Sequence, residues 1–395
     1  MSGQLNSIYN NVSFALNLHT TALARLQEQV STGSKVNRAS DDPSAAFQIL
    51  NLQTQTRSYE NYISNIDTLS DILELSNTVI QSMSTSIVNT QQLISQISSG
   101  VYDEENREST AQQIDDIIEQ MVLFANSEYM DQYIFGGSNS STAPYVVERT
   151  DGKITSVTYQ GSSEVQNIEI APSVRSNIFY VGDDIFRSDD RSTPEFSGTT
   201  GAEAGTGTSS VQGDVWLTVT FDGSNYQISI DDGLTYTTVP TGGDANQAVT
   251  DSRTGKVLYV DTTQINTSGV ELVRVPGTYD IFNTLISIRD IFSNERDLSE
   301  DQLKQLRIDA MDSLDEVGNL LVQANVIVGA RTGFLEDFKN NLTEMKYSFE
   351  DRTASLEDAD ITQIAVDLSR RELLYQMSLA VAAEIMSLSL LDFID

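Results

Sequence analysis

Few residues in this chain are of types that do chemistry. The sequence holds one histidine, His19, and no cysteine. A protein-bound metal needs several imidazole, thiolate or carboxylate ligands that converge. His19 has no second histidine and no thiolate to share an ion with, and it falls on an apolar stripe between Leu16 and Leu23. Packing is its expected role. Two acid pairs, Asp183-Asp184 and Asp231-Asp232, have the right type for calcium ligation or paired-carboxylate work. No twelve-residue calcium loop surrounds either pair, so both read as turn acids. The His-Glu-x-x-His helix of zinc proteases is absent. Trp216 stands without an aromatic cluster that would suit a glycan or receptor, and it is assigned to core. The residues therefore predict no enzyme, no metal and no cofactor.

Charge narrows the partners. Fifty-seven acids against 23 bases give a net charge of −34. Such a chain repels the phosphates of nucleic acid and the headgroups of anionic lipid. Residues 1–50 balance at three basic and three acidic residues, so the excess acid lies elsewhere, on a solvated face. Without cysteine there is no disulfide framework. No apolar run follows the first residues, so no cleaved signal peptide is expected.

The elements that must do the work are the two chain ends. From Leu373 to Ile394, 16 of 22 residues are apolar, and Glu384 and Asp392 are the only charges. A helix this apolar needs cover on nearly every side. Its first partner is an N-terminal stripe of Leu5, Ile8, Val12, Leu16, Leu23, Leu26 and Val30. Ile361, Ile364, Leu368, Leu388, Leu390, Leu391 and Phe393 are the matching residues of the tail. Both stripes are candidate assembly interfaces, expected to order fully only when neighbouring subunits cover residues 1–40 and 355–395. A membrane anchor flanked by Arg370 and Arg371 is the rival reading. Glu384 at mid-helix would cost it about 3 kcal/mol, so membrane insertion is not expected.

Between the ends, a first helix over residues 4–30 stops at Gly33, and Asn37 to Asp42 reads as a turn. Asp42 followed by Pro43 is a helix start, a capping carboxylate before a proline at the first helical position. From Tyr59 to Ile97, twelve positions at alternating steps of three and four include ten apolar residues. That is a coiled-coil-like seam. Gly100 ends the helix, Asp103 caps a third one, and Ile114, Ile117, Ile118, Met121 and Phe124 are its apolar face. A helix of about 55 residues spans roughly 80 Å.

Residues 136–277 differ in kind, with 17 of the 23 glycines and five of the six prolines. Val215–Phe221, Tyr226–Ile230 and Leu234–Val239 read as a meander with turns at Asp222-Gly223 and Asp232-Gly233. Ile154–Tyr159 and Val165–Ile170 read as a hairpin, and Arg191–Asp214 as a loop. Helix resumes near Asp280. Ser299 and Gln302 form a capping box. A seam follows through Leu303, Leu306, Ala310, Val317, Leu320, Ala324, Ile327, Phe334, Phe338 and Met345, with a second stripe of Leu314, Leu321, Val328, Leu335 and Leu342 beside it. Gly318, Gly329 and Gly333 interrupt this helix, for close helix approach or a local kink. Both seams lie outside the β-rich insert, so a chain joined across residues 138–275 is expected to fold.

The predicted fold class is mainly α with a β-rich insert. Both chain ends form an elongated antiparallel helical bundle or coiled-coil rod, and the insert is an outer β domain. The expected parts are 1–42 with 351–395, a terminal helical assembly domain; 43–135 with 278–350, a helical rod; and 136–277, the outer domain.

Several segments resemble the bacterial flagellin superfamily. Val36-Asn37-Arg38-Ala39-Ser40-Asp41-Asp42-Pro43-Ser44-Ala45-Ala46 resembles that family's break between its innermost helix and its outer rod. On that resemblance Asn37, Arg38, Asp41, Asp42 and Pro43 are the inter-domain break. Leu388-Ser389-Leu390-Leu391 resembles the closing motif, and Gly329-Ala330-Arg331 a shared internal segment. Pro43 after the two acids, Tyr133-Ile134-Phe135-Gly136-Gly137, and the ending Leu391-Asp392-Phe393-Ile394 resemble the hook–filament junction branch more than the filament flagellins. The resemblance covers about residues 1–137 and 278–395. It implies a structural subunit of the flagellum, secreted by type III export with an uncleaved N-terminus and serving motility. It also implies a ring of like subunits between another junction protein and the first flagellins, and an export chaperone on the C-terminal helix. A filament flagellin is the alternative within the family. A tail-anchored or surface adhesion protein with a β head is the alternative outside it.

Overall fold

Three helices open the chain, α1 (Ser2–Thr32), α2 (Pro43–Ser98) and α3 (Glu104–Ala125). The computed structural model describes residues 2–98 and 104–394, and the side chains of residues 2–6, 8, 97–98 and 385–394 fall outside that description. The expected stop at Gly100 and cap at Asp103 therefore lie outside the described residues. Gly33 takes φ +72°, the left-handed conformation that ends α1. Asp42 caps α2 as its place before Pro43 predicts, its Oδ1 accepting the amides of Ser44 and Ala45, each at 3.0 Å. The chain divides into two compact units, residues 1–64 with 338–395, and residues 65–337.

In the larger unit the α2 seam is core. Ile66, Leu69, Leu73, Ser76, Ile80, Met83, Ile87, Thr90 and Ile94 are all buried. The two polar members return their hydroxyls to carbonyls four residues back, Ser76 to Ile72 and Thr90 to Ser86, so neither donor is stranded. Helix α3 adds Ile114, Ile118 and Met121. Two more helices follow the β region, α5 (Ile281–Ser293) and α6 (Glu300–Glu357). The Ser299–Gln302 capping box forms in both directions at the start of α6.

One expectation for α6 fails over its second half. Ile327, Phe334 and Met345 are 56 %, 56 % and 50 % exposed, while Leu314, Leu321, Val328, Leu335 and Leu342 are buried. A straight α-helix keeps a period of 3.6 residues, and a strict heptad step of 3.5 slides off its inward face over several turns. The buried face instead crosses from the first row to the second by two successive steps of four, Leu306 to Ala310 to Leu314, and continues through Leu321, Val328, Leu335 and Leu342. Gly329 and Gly333 have open space where a side chain would stand, so close helix approach within the chain does not explain them.

The β region carries most of its strands where turn residues close them. The pairing expected between Ile154–Tyr159 and Val165–Ile170 is replaced by two separate hairpins. Strand β3 (Tyr145–Thr150) pairs with β4 (Lys153–Tyr159), and β5 (Asn167–Ala171) with β6 (Val174–Asn177), following the small hairpin of β1 (Glu128–Tyr129) and β2 (Gln132–Tyr133). Asp151 and Gly152, at φ 52° and 86°, make the two-residue left-handed turn that suits a tight hairpin. Ser173, at φ 64°, closes the second. After the short helix α4 (Gly182–Phe186), the segment expected as a loop contributes two edge strands, β7 (Glu195–Ser197) and β8 (Glu203–Ala204).

The meander itself forms as expected, from β9 (Gly213–Phe221), β10 (Tyr226–Ser229) and β11 (Thr237–Thr238). Strands β12 (Gln247–Thr250), β13 (Val257–Asp261) and β14 (Gly269–Val275) complete the region. Antiparallel pairing gives one sheet in the order β11-β10-β9-β14-β7 and a second in the order β12-β13-β8. Leu217, Val219, Ile228, Val249, Leu258, Val260 and Val273 form their shared core.

The five-stranded sheet also packs on helix. Leu272, with half-buried Trp216 and Val270, sits against Ile291, Leu298, Leu303 and Leu306. Phe282 of α5 stacks into rings contributed by the β region, with centroids 4.9 Å from Tyr145 and 6.3 Å from Phe186. Arg289 of α5, buried, pairs with Asp115 of α3 and Asp290, and donates to the carbonyl of Ile154 in β4. The insert thus supplies part of the core of α5 and the first turns of α6. Its removal exposes Leu303 and Leu306, contrary to the expectation that both seams stand outside it.

Candidate assembly interface

The terminal stripes meet in the smaller unit. Helix α7 (Ile361–Ile394) runs beside α1. Val12, Leu16, Leu23 and Leu26 on α1 are half-buried, as is Leu368 on α7, and Ile364 is buried. Ile361, at the start of α7, is exposed. Leu5, Ile8, Leu388, Leu390, Leu391 and Phe393 lie outside the described side chains. Toward the tips, Tyr9, Val12, Ser13 and Leu16 face Leu379, Ala382 and Ala383 across an apolar groove of about 360 Å³.

Two helices cover each other along one stripe only, and α7 has apolar residues on more than one. Val366, Leu373, Met377 and Val381 fall on a common face at spacings of seven, four and four, each more than half exposed. Phe14 and Leu18 are exposed on α1. This outward face is the part of the candidate interface that the stripe count missed. Its signal was the run from Leu373 to Ile394, where 16 of 22 residues are apolar and one stripe cannot hold them all. Which apolar face turns outward depends on how α7 is rotated against α1, and residue spacing does not encode that.

The Asn37–Pro43 break is a closed set of bonds. Asp41 Oδ2 accepts the amides of Asn37 at 3.2 Å and Arg38 at 3.0 Å, and its Oδ1 lies 3.1 Å from the Arg25 guanidinium. Arg38 pairs with Glu28 at 3.1 Å. Asn37 Nδ2 donates to the carbonyl of Ser34. This turn is stitched to the one between α6 and α7. Lys35 N donates to Glu357 O at 2.7 Å, Ala359 N to Gly33 O at 2.9 Å, and Lys35 Nζ to Ser355 O at 2.9 Å. The side of the unit away from the chain tips is therefore held by backbone bonds between two turns. Just beyond, Tyr59 packs edge-on to Phe349 with centroids 5.3 Å apart, and Lys346 pairs with Glu60 at 3.2 Å.

The other candidates for chemistry serve structure. His19 is half-buried on α1 with Nδ1 unbonded. Asp183 lies 2.8 Å from Arg187 on the same helical turn. Burial pushes its carboxyl above the usual carboxylate range, and Arg187 offsets this in part. Asp231 is buried and accepts from the hydroxyls of Ser229, Thr235 and Ser252. Burial raises its carboxyl, but those bonds outweigh it and hold the group well below the usual range. Asp232 bridges Arg253 and Arg296, each at 2.8 Å. The Arg296 guanidinium in turn lies 4.7 Å over the Trp216 ring. Among the described residues no helix is long and apolar enough to cross a membrane.

Comparison with known proteins points the same way. The family model of the bacterial flagellin N-terminal helical region matches residues 4–140. Flagellar hook-associated protein 3 of Escherichia coli (strain K12) is 32% identical over 162 residues, covering 41% of this chain and 49% of that protein. Flagellar hook-associated protein 3 of Salmonella typhimurium is 30% identical over 122 residues, 31% of this chain and 38% of that protein. The chain thus spans about half the length, or less, of the curated relatives it matches. The solved structure of flagellar hook associated protein-3 from Legionella pneumophila covers 78% of this chain and 97% of its own, with TM-score 0.51 and 16% identity. A putative flagellar hook-associated protein from Vibrio parahaemolyticus covers 80% and 100%, with TM-score 0.51 and 14% identity, and shares the fold. Residues 4–140 thus match the flagellin N-terminal helical region, and the chain is similar in sequence to flagellar hook-associated protein 3 and shares the fold of solved hook-associated proteins.

Proposed function

We propose that this chain is a structural subunit of the bacterial flagellum that joins hook to filament. The observation that carries the reading is the outward apolar face of α7, Val366, Leu373, Met377 and Val381, each more than half exposed. Burying the exposed half of four such side chains against neighbours stabilises an assembly by about 1–1.5 kcal/mol each. The partners this reading implies are further copies of the chain in a ring, a second hook-associated junction protein and flagellin. Before export, a chaperone would shield the C-terminal helix, and the N-terminus would leave uncleaved. Residues 1–42 with 351–395 would form the inner assembly part, 43–135 with 278–350 the helical part, and 136–277 the outer part. The hook-associated names of the relatives favour the junction over a filament subunit.

The test is a triple variant, Leu373→Ser, Met377→Ser and Val381→Ser, in a strain lacking the native gene. The expected result is a soluble chain with an unchanged melt that fails to restore swimming and is missing from the distal end of purified hook–basal bodies. Normal incorporation of this variant would remove the α7 face from the account. Long filaments built from the wild-type chain alone would favour a filament flagellin.

A further inference from the structure

The strongest unclaimed feature is a basic groove beside the α1/α7 pair. It has a volume of about 590 Å³ and is lined by Arg25, Gln29, Asp367, Arg370, Arg371 and Leu374, among others. Three guanidinium groups and one carboxylate meet there, in a chain whose net charge is −34. Arg25 already pairs with Asp41, and Asp367 accepts from Gln363 at 3.2 Å. Among the described residues, Arg370 and Arg371 have no ion-pair partner. A guanidinium presents a fork of donors matched to carboxylate, so the groove favours an acidic occupant.

The same unit carries a fitting one. The turn between α6 and α7 places Glu357, Asp358 and Asp360 within four residues. Asp360 is engaged in capping α7 through the amide of Gln363. The carboxylates of Glu357 and Asp358 have no ion-pair partner among the described residues, and Asp358 is exposed. Groove and turn cannot serve each other within one copy. Asp360 opens α7 and Arg370 follows ten residues later, about 15 Å along the helix axis. A contact between them must join two copies through unlike surfaces, the head-to-tail kind that closes into a ring when its rotation allows.

We propose that the Arg370–Arg371 groove binds the Glu357–Asp358 turn of a second copy of this chain and sets the register between adjacent subunits. The inference rests on the assembly reading above and adds to it a specific contact. The apolar face of α7 supplies adhesion without direction, since burial of apolar surface is non-directional. Charge complementarity supplies orientation and rejects a neighbour placed out of register. Because both surfaces are solvent-exposed, the contact weakens as salt rises.

The test uses the full-length chain in a strain lacking its own copy. The variant R370E/R371E is expected to melt like the wild type yet reach hooks at roughly tenfold lower occupancy, a change equivalent to 1.4 kcal/mol. Adding E357K/D358K to the same chain reverses both charges and should restore occupancy. Because the chain has no cysteine, Asp358→Cys with Arg370→Cys gives a second readout. Disulfide geometry needs Cα atoms within about 7 Å, so a bond here joins copies, and a ladder of cross-linked species is expected in isolated flagella. Wild-type occupancy of R370E/R371E, loss that the charge swap fails to rescue, or absence of the ladder would overturn the contact. A wild-type chain absent from flagella would instead overturn the proposed function. The contact would then be judged on the concentrated purified chain, where the absence of a ladder rejects it.

Discussion

Arg25 and Asp41 lie 3.1 Å apart, and the Asp41 carboxylate that reaches the guanidinium also accepts the amides of Asn37 and Arg38. One side chain thus fastens α1 to the turn that follows it and shapes the turn itself. The guanidinium is half exposed, so the ion pair alone contributes little. The two amide bonds to a charged acceptor contribute more. Asp41→Ala should therefore loosen the 33–42 turn by about 2 kcal/mol, and Asp41→Asn, which keeps one accepting oxygen, by less than about 1 kcal/mol. Hydrogen exchange at the amides of residues 37 and 38 reads this directly. Equal exchange in both variants would show that the carboxylate does not organise the turn.

Acidity should act on α5 in an unusual direction. Asp280 caps that helix through the amides of Phe282 and Asn283, both at 2.9 Å. Burial pushes its carboxyl up to about 6, against the lowering effect of those two amide bonds. A carboxyl raised in the folded chain binds its proton more tightly there than in the unfolded chain. Its contribution to stability is therefore largest near pH 4 and falls as pH rises through about 6. Asp280→Asn keeps a capping oxygen and cannot ionise. It should raise stability at pH 7 by about 2 kcal/mol and flatten the change between pH 4 and 7. Melts at a series of pH values test this. A variant less stable than wild type at pH 7 would mean the ionised cap is worth more than its burial costs.

The attachment of the β region to the helices has its centre at Leu272, buried against Ile291, Leu298, Leu303 and Leu306. Leu272→Ala should cost about 2–5 kcal/mol, the range for emptying a filled core site. The loss should be felt in α5 and the first turns of α6 as well as in the sheet. Exchange protection of amides 303–310 should drop together with that of β14. If only the strand loses protection, the sheet and the helix start are separate folding units, and deleting residues 138–275 would leave the helices intact.

In the free chain, α7 should open more readily than α2. The seam of α2 from Ile66 to Ile94 is buried, whereas α7 is covered along one stripe and exposes Val366, Leu373, Met377 and Val381. Local opening energies follow such contact density. Exchange over residues 361–384 should be at least tenfold faster than over 66–94, and should slow when the chain is incorporated in flagella. Equal protection of both helices in the free chain would mean α1 alone suffices as the partner of α7.

Periodicity and local turn chemistry determined much of this protein. The Asp42-Pro43 start, the Ser299–Gln302 box, the α2 seam and the Asp222-Gly223 turn all depend on residues within about one helical turn or hairpin of each other. Short-range sterics and capping suffice to set such features. The two sticky ends were legible because helical spacing alone reports an apolar stripe. Long-range choices were not legible. The neighbour of β4 is β3, joined by the tight Asp151-Gly152 turn, and not the strand beyond the longer connection. The inward row of α6 was decided by phase accumulated over ten turns. The packing of Leu272 and Trp216 on the start of α6, and the rotation of α7 that leaves Met377 outward and Ile364 buried, belong to tertiary structure alone. Apolar burial has no direction of its own, so only the surfaces actually brought together decide which of several apolar faces is covered.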